Sequence, residues 1–505
     1  MLYKPLKERL WDTWIVNDNN RYYLFYIRVS ENGTRWDGIS LAISDDLIHW
    51  HEHGTVLKKD EDAIWLGTGM VMKFHDRYIM NYSQEKPVGE QKIFFAESLD
   101  LINWKKIENP VFEPDNSIYL KSGDNIADSY PRWDSLGIVN PLNPNRSKPY
   151  YAFFTSDSAD FQYSQKRGVL GFCESMDGVN WHHLLPATTK KDIVPAFEVP
   201  EHVNFGDNHY VVFCTSSKLG YRFDKRAKYL SGGTYYVFSD NFTGPYDFTE
   251  NDPMLVGSRD VENVTMGSVG RVIHENGKVL FYHIWGDPIA DGWVGLVKEL
   301  KEVSKGELRL LYFNRNDKLK NIEVCKSLNQ IEFSPTKKIG KLLPVAWDIK
   351  ENAIDFKNLG SSGMLISDEL GLIDKNQPLG DGIFVEGHIK IENGLGAGIV
   401  LETESKQLVC IFLNLRDQSL DFCKVVNGFC SNLVLEGIMT KGNKELNNKE
   451  FDIKIISRKY FVEVYLNDVY ISGLRLTEEF NNERIGLYVE DSEGKFSNFN
   501  IYQLK

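Results

Sequence analysis

Short runs of aromatic and β-branched residues recur along the first three hundred positions: YYLFY (22–26), YIMNY (78–82), YYAFF (150–154), HYVVF (209–213) and VLFYHIW (279–285). A polar turn such as NDNN, HDR or GDN precedes each run, and another apolar stretch precedes the turn: WIV, GMVMKF, LGIV, HVNF and SVGRVI. Runs of this length and composition, bounded by turn formers, read as β-strands. Four of the units then close on a related signature: SDDLIHW (Ser44 to Trp50), SLDLINW (Ser98 to Trp104), SMDGVNW (Ser175 to Trp181) and SDNFTGPY (Ser239 to Tyr246). Each predicts a turn capped by Ser or Asp and followed by an aromatic anchor. The unit around VLFYHIW lacks it. Strand, tight turn, strand and a closing strand pair make a four-stranded antiparallel sheet; repeated five times, it predicts a five-bladed β-propeller. A two-layer sandwich of the same strands would not require the recurring turn.

Residues 300–340 are charged and less regular, and read as a closing strand followed by a linker. From about Leu342 the pattern becomes alternating strands such as GIFVEGHIKI, QLVCIFLNL, FDIKII and YFVEVYLND, separated by Gly and Asn turns, which predicts a two-sheet sandwich. The expected organisation is therefore all-β: a propeller over 1–310, a linker over 311–340 and a β-sandwich over 341–505. A chain of 505 residues exceeds a single hydrophobic core, consistent with two domains. The sandwich is expected to pack on the propeller; homo-oligomerisation and extension of the site both stand open as its role.

Composition removes several classes of function. The formal charge of −13 is spread along the chain, and no Lys/Arg cluster alternates with aromatics, so nucleic acid is not an expected partner. The first residues, MLYKPLKERLWDTW, carry charges where a secretory signal has an apolar core, and no apolar run reaches membrane-spanning length. A cytoplasmic location without a membrane partner is expected. The six cysteines (Cys173, Cys214, Cys325, Cys410, Cys423 and Cys430) form no CxxC pair and are too dispersed for a metal knuckle; free structural thiols are expected.

The candidate chemistry is carboxylate chemistry. In a propeller the innermost strand of each blade lines the axis, so a residue at its start points toward that axis. Asp12 in W-D-T-W, Asp134 in P-R-W-D-S and Glu198 in F-E-V-P-E stand at such starts in units one, three and four, whereas unit two shows W-L-G-T-G and unit five M-G-S-V-G. Any one of them could be a turn former; recurrence at one place is what points to a site. Three acids converging on an axis repel one another and raise at least one pKa. Glycosidic cleavage uses such a set: one carboxylic acid to protonate the leaving oxygen, one carboxylate to attack carbon or activate water. Trp11, Trp14, Trp65 and Trp133 offer apolar faces for a sugar ring.

These residues resemble glycoside hydrolase family 32, the β-fructofuranosidases, and more distantly families 68 and 43. TRWDGISLAISDDLIHWHEHG (34–54) is similar to the family's first-blade W-G-H-A-x-S-x-D-L-x-H-W, W-L-G-T-G (65–69) to its W-S-G-S, and F-E-V-P-E-H-V-N-F-G-D (197–207) to its E-C-P segment. W-D-T-W (11–14) is similar to the W-D-S-W of family 68, and V-E-V-Y-L-N-D (462–468) looks like the family 32 sandwich. The resemblance implies Asp12 as nucleophile, Glu198 as general acid/base and Asp134 as the group that steadies the transition state, with Arg132 on substrate hydroxyls. Here R-D-P is R-W-D-S, so Asp128 in A-D-S-Y rivals Asp134; the E-C-P cysteine is Val199, and Glu201 rivals Glu198 or joins substrate binding; Ile27 stands where the family has Gln.

The implied reaction is retaining hydrolysis of a terminal β-fructofuranoside in a disaccharide or oligosaccharide, with no cofactor and no metal. Inverting hydrolysis of the family 43 type, fructosyl transfer and sugar binding without turnover are the rival readings.

Overall fold

The computed structural model of the chain describes residues 2–30, 33–86, 89–121, 131–142, 148–159, 168–189, 196–215, 231–249, 253–259, 268–287, 290–325, 327–335, 345–368, 370, 382–426, 429–432 and 448–505. The fold is all-β; 3₁₀ turns at Asn314–Leu319 and Leu328–Gln330 are the helical elements among the described residues. Among the described residues no helix is long and apolar enough to cross a membrane. The chain divides into two compact units, one running to Leu310 and one from Leu311 onward.

The first unit is a β-propeller in which four antiparallel four-stranded sheets follow one another in chain order. They comprise β1 (Glu8–Asp18), β2 (Arg21–Ser30), β3 (Gly38–Ser44) and β4 (His51–Lys58); β5 (Leu66–Phe74), β6 (Arg77–Glu85), β7 (Gln91–Ser98) and β8 (Lys105–Phe112); β9 (Trp133–Ile138), β10 (Tyr150–Asp157), β11 (Gly168–Ser175) and β12 (Trp181–Ala187); and β13 (Glu198–Phe205), β14 (Asn208–Thr215), β15 (Ser231–Ser239) and β16 (Met254–Arg259). A further group has β17 (Ser268–Glu275) on β18 (Lys278–Asp287), with β19 (Ala290–Val294) and β20 (Lys298–Ser304) both pairing with β18. The first strands meet in a ring, β1 beside β5, β5 beside β9, β9 beside β13, β13 beside β17 and β17 beside β1. Apolar cores fill the spaces between successive sheets: Trp14, Phe25, Ile39 and Leu41 pack with Val71, Met80 and Leu101, and Phe153 and Phe172 with Phe213 and Tyr235.

The recurring signature is the turn between the third and fourth strands. Ser44 Oγ accepts the N–H groups of Asp46 and Leu47, Asp46 Oδ1 accepts those of Ile48 and His49 at 2.9 Å each, and Trp50 Nε1 donates to Leu47 O. Ser98, Asp100 and Trp104 repeat the pattern, as do Ser175, Asp177 and Trp181. The residue after the Asp is left-handed in all three: Leu47 at φ 67°, Leu101 at φ 65° and Gly178 at φ 77°. The two leucines accept the strain because their side chains are buried, whereas Gly178 avoids it. SDNFTGPY keeps the serine cap, from Asn241 N to Ser239 Oγ, and an aromatic donor, Tyr246 Oη to Phe242 O at 2.7 Å.

The second unit is a large antiparallel β-sheet domain. Its long strands Gly382–Thr403 and Phe480–Leu504 pair along most of their length, Ala353–Ser367 flanks the latter, and Glu450–Arg458 and Leu408–Asn414 flank the former. The segment read as a linker carries regular structure: Lys320–Cys325 pairs with Ile501–Leu504.

Burial alone would raise Asp46, but the N–H groups of His49 and Ile48 and the His49 ring outweigh it and hold the carboxyl well below the usual range. Its contribution to stability is therefore complete above the ordinary aspartate pKa and is lost as the pH falls below about 4. Asp46→Ala should lower urea stability at pH 7 by about 1–2 kcal/mol, with the gap to wild type closing in acid. Asp45→Ala, at a mostly exposed ion pair with Arg21, should fall within about 0.5 kcal/mol of wild type.

Candidate active site

The acids sit inside the strands, at bulges. In β5, β9, β13 and β17 two residues go unpaired opposite one on the neighbour, after Leu66, Asp134, Glu198 and Ser268; in β1 the register shifts between Trp11 and Thr13, around Asp12. Asp134 and Glu198 thus hold equivalent positions, while Asp12 lies one residue further on. This corrects the expectation that all three precede their strands at one common place. A bulge re-aims the side chains beside it, and here the residues just past the acids are left-handed: Ser135 at φ 47° and Val199 at φ 50°, with Val269 at φ 48° in β17. For a β-branched valine this costs about 1–3 kcal/mol.

Bulged peptides must find partners for their buried N–H groups. The preceding sheet supplies them. Asn81 on β6 pairs with both polar groups of Leu136 (N to Oδ1 3.1 Å, Nδ2 to O 3.2 Å), Thr155 Oγ1 on β10 accepts Val199 N at 3.2 Å, and Thr234 Oγ1 on β15 accepts Gly270 N at 2.8 Å.

The structure brings Asp12, Asp134, Glu198 and Arg132 together. Arg132 Nη1 donates to Glu198 Oε1 at 2.5 Å, and Nη2 lies 3.5 Å from Asp134 Oδ2. Burial pulls Arg132 down, yet the two carboxylates outweigh it and hold the guanidinium charged. Burial pushes Asp12 up to about 7; the Thr68 hydroxyl, which donates to Asp12 Oδ2, opposes this, and the charges of Asp134 and Glu198 add to it. Burial also raises Asp134, against Arg132 and the hydroxyl of Ser83, which donates to Oδ1 at 2.6 Å. Desolvation, more than mutual repulsion, is thus the chief cause of the shifts. Asp128 lies outside the described residues.

Three expected substrate contacts are buried. Glu201 is sealed three residues past Glu198: Oε1 lies 2.7 Å from Arg271 Nε, both side chains are at most 3% exposed, and Oε2 accepts Val272 N at 2.7 Å. Both of its oxygens are thus engaged within the protein. Trp14 is 2% exposed and stacks on Phe25 at 5.9 Å. Trp133 is buried likewise, its Nε1 donating to Phe112 O. Trp11 and Trp65 remain partly exposed, Trp65 edge-on to Trp36. A cavity of about 300 Å³ among the later residues of the same strands is lined by Trp14 and Glu201 together with Ile15, Val71, Ile138 and His274.

Thr68, Ser83, Gln91 and Arg271 were not read from sequence as site residues. The available signal was in β6, where Asn81 and Ser83 are polar, buried and two residues apart, hence on one face of the strand, following the apolar run Tyr78, Ile79 and Met80. Among the described residues no group of three or more His, Cys, Asp or Glu is arranged to hold a metal ion.

A cluster of buried acids with one clamping arginine suits protonation of a leaving oxygen and attack at carbon. Residues 14–126 match the model of the glycosyl hydrolases family 32 N-terminal domain, and that match sets the class of the chain: a glycoside hydrolase. Within the class, its resemblance is to family 32. Similar solved structures include sucrose-6-phosphate hydrolase from Lactobacillus gasseri (15% identity, 99% of this chain and 92% of that one, TM-score 0.66). Others are the β-fructofuranosidase BmSUC1 of Bombyx mori (15%, 99% and 92%, 0.60) and fructan 1-exohydrolase IIa of Cichorium intybus with 1-kestose (12%, 100% and 97%, 0.64). At such identities the likeness shows the fold. No curated protein matches the sequence.

Asp12 binds its proton more tightly folded than unfolded, so its contribution to stability declines as the pH rises from about 4 through about 7. Asp12→Asn should remove that decline: its thermal midpoint should exceed wild type at pH 8, with the difference vanishing near pH 4, as followed by circular dichroism.

Proposed function

We propose that the chain hydrolyses terminal β-fructofuranosides of the sucrose or fructan type with retention of configuration, in a five-bladed propeller accompanied by a β-sandwich. The observation that carries this reading is the convergence of Asp12, Asp134 and Glu198 from three separate sheets, with Arg132 bridging the latter two. The ring of first strands, with β17 between β13 and β1, supports a fifth blade built on β17–β20. Similar structures add support: the Bombyx enzyme was solved with sucrose and the chicory enzyme with 1-kestose.

In this mechanism Asp12 attacks the anomeric carbon, and the Thr68 hydrogen bond fixes its Oδ2. Glu198 protonates the departing oxygen and then takes a proton from the water that releases the sugar. Arg132 holds Glu198 through Oε1, which leaves Oε2 for the leaving group. Asp134 accepts ring hydroxyls and offsets positive charge at the transition state. Attack requires the ionised form of Asp12, so the acidic limb of the kcat/KM profile should lie near pH 7.

The purified chain should release fructose from sucrose or 1-kestose, with the β-anomer appearing first by NMR. Glu198→Ala should lower kcat/KM by about 10²–10⁴-fold, and Asp12→Ala should abolish turnover while the chain stays folded. Release of the α-anomer first would replace retention with inversion, and an Asp12→Ala protein of normal activity would remove the nucleophile assignment.

A further inference from the structure

We propose that Ser83 and Gln91, both from the sheet preceding that of Asp134, are positioning residues that hold Asp134 as an acceptor-only carboxylate for substrate hydroxyls. The inference rests on the reading of Asp134 as the hydroxyl-binding acid.

The argument follows from which groups can donate. The backbone N–H of Trp133 can only donate, and it points at Gln91 Oε1 at 3.3 Å. That fixes the amide orientation, so Gln91 Nε2 faces Ser83 Oγ and donates to it at 3.2 Å. A hydroxyl has one proton. With its lone pair engaged by the amide, Ser83 directs that proton to Asp134 Oδ1 at 2.6 Å. The chain of bonds begins at the peptide of Trp133 and returns to the side chain of the next residue, closing a ring around the carboxyl. The other oxygen, Oδ2, faces Arg132 Nη2. With donors on both sides, Asp134 has only acceptor sites left to offer a sugar.

Burial strengthens the arrangement. Ser83 is 0% and Gln91 7% exposed, so water does not compete for these bonds. Gly67 is the third requirement: a Cβ there would stand 2.4 Å from Ser83 Oγ and 3.5 Å from Asp134 Oδ1, displacing the serine.

The test uses the full chain with sucrose and 1-kestose, together with carboxyl ¹³C NMR of Asp134. Ser83→Ala should fold, reduce kcat/KM by about 10–100-fold and move the Asp134 titration upward, because a donor to the charged form is gone. Gln91→Glu should do more, because its carboxylate competes for the single Ser83 proton; its deficit relative to wild type at the same pH should shrink at lower pH, where the introduced carboxyl is protonated and can again donate to Ser83. Gly67→Ala provides a third route to the same loss. Folded Ser83→Ala and Gln91→Glu proteins with wild-type kcat, KM, pH profile and Asp134 titration would overturn the proposal. If the wild-type chain cleaves neither sugar, the hydrolase reading fails on its own account, and the Asp134 titration alone decides the role of Ser83: a shift upholds it and an unmoved titration overturns it.

Discussion

The constraint on which the site depends is the pairing of peptide groups at the bulges of the inner strands. A bulge aims an acid at the axis and in doing so strands one or two N–H groups in a dry interior, where an unmet donor costs about 1–3 kcal/mol. Asn81, Thr155 and Thr234 meet that demand from the sheet before. The left-handed backbone at Ser135, Val199 and Val269 persists because these bonds and the surrounding core over-determine it. Local strain and neighbouring hydroxyls are thus two sides of one device that holds carboxylates in a fixed direction.

Charge is layered along the axis. Nearest the bulges, Arg132 bridges Glu198 and Asp134, while Asp12, with Thr68 as its hydrogen-bond donor, carries the raised pKa. Three residues deeper, Glu201 and Arg271 neutralise each other, and Arg271 also donates to Gly69 O at 3.2 Å. The deeper pair makes the interior tolerable for the upper acids, since its cation partly offsets the charge of Asp12. A buried ion pair of this kind is weak support for stability and serves better as a fixed electrostatic floor.

Strands were legible because aromatic runs, turns and the Ser/Asp/Trp signature repeat, and each repeat fixes its neighbours' registers. Asp12, Asp134, Glu198 and Arg132 were legible for the same reason, with recurrence separating them from ordinary turn formers. Glu201 and Trp14 were misread because the direction of a residue beyond a bulge depends on how many positions go unpaired, which no local pattern declares. Thr68, Ser83, Gln91 and Arg271 act on residues 42 to 259 positions away in the chain, as in the contacts of Gln91 with Trp133 and of Arg271 with Asp12. Only the polar pair Asn81 and Ser83 after an apolar run hinted at them.

The bracing of bulges also has a sense of direction. Asn81, Ser83 and Gln91 serve the acid-bearing strand that follows them, Thr155 the one after that, and Thr234 the next, so support is passed forward around the ring. A lesion in one repeat is therefore felt first by its successor's working groups, and no repeat can drift in sequence without regard to the one downstream. Thr68 reaches back to Asp12, and Arg271 likewise reaches back to Glu201, so stitches also run the other way.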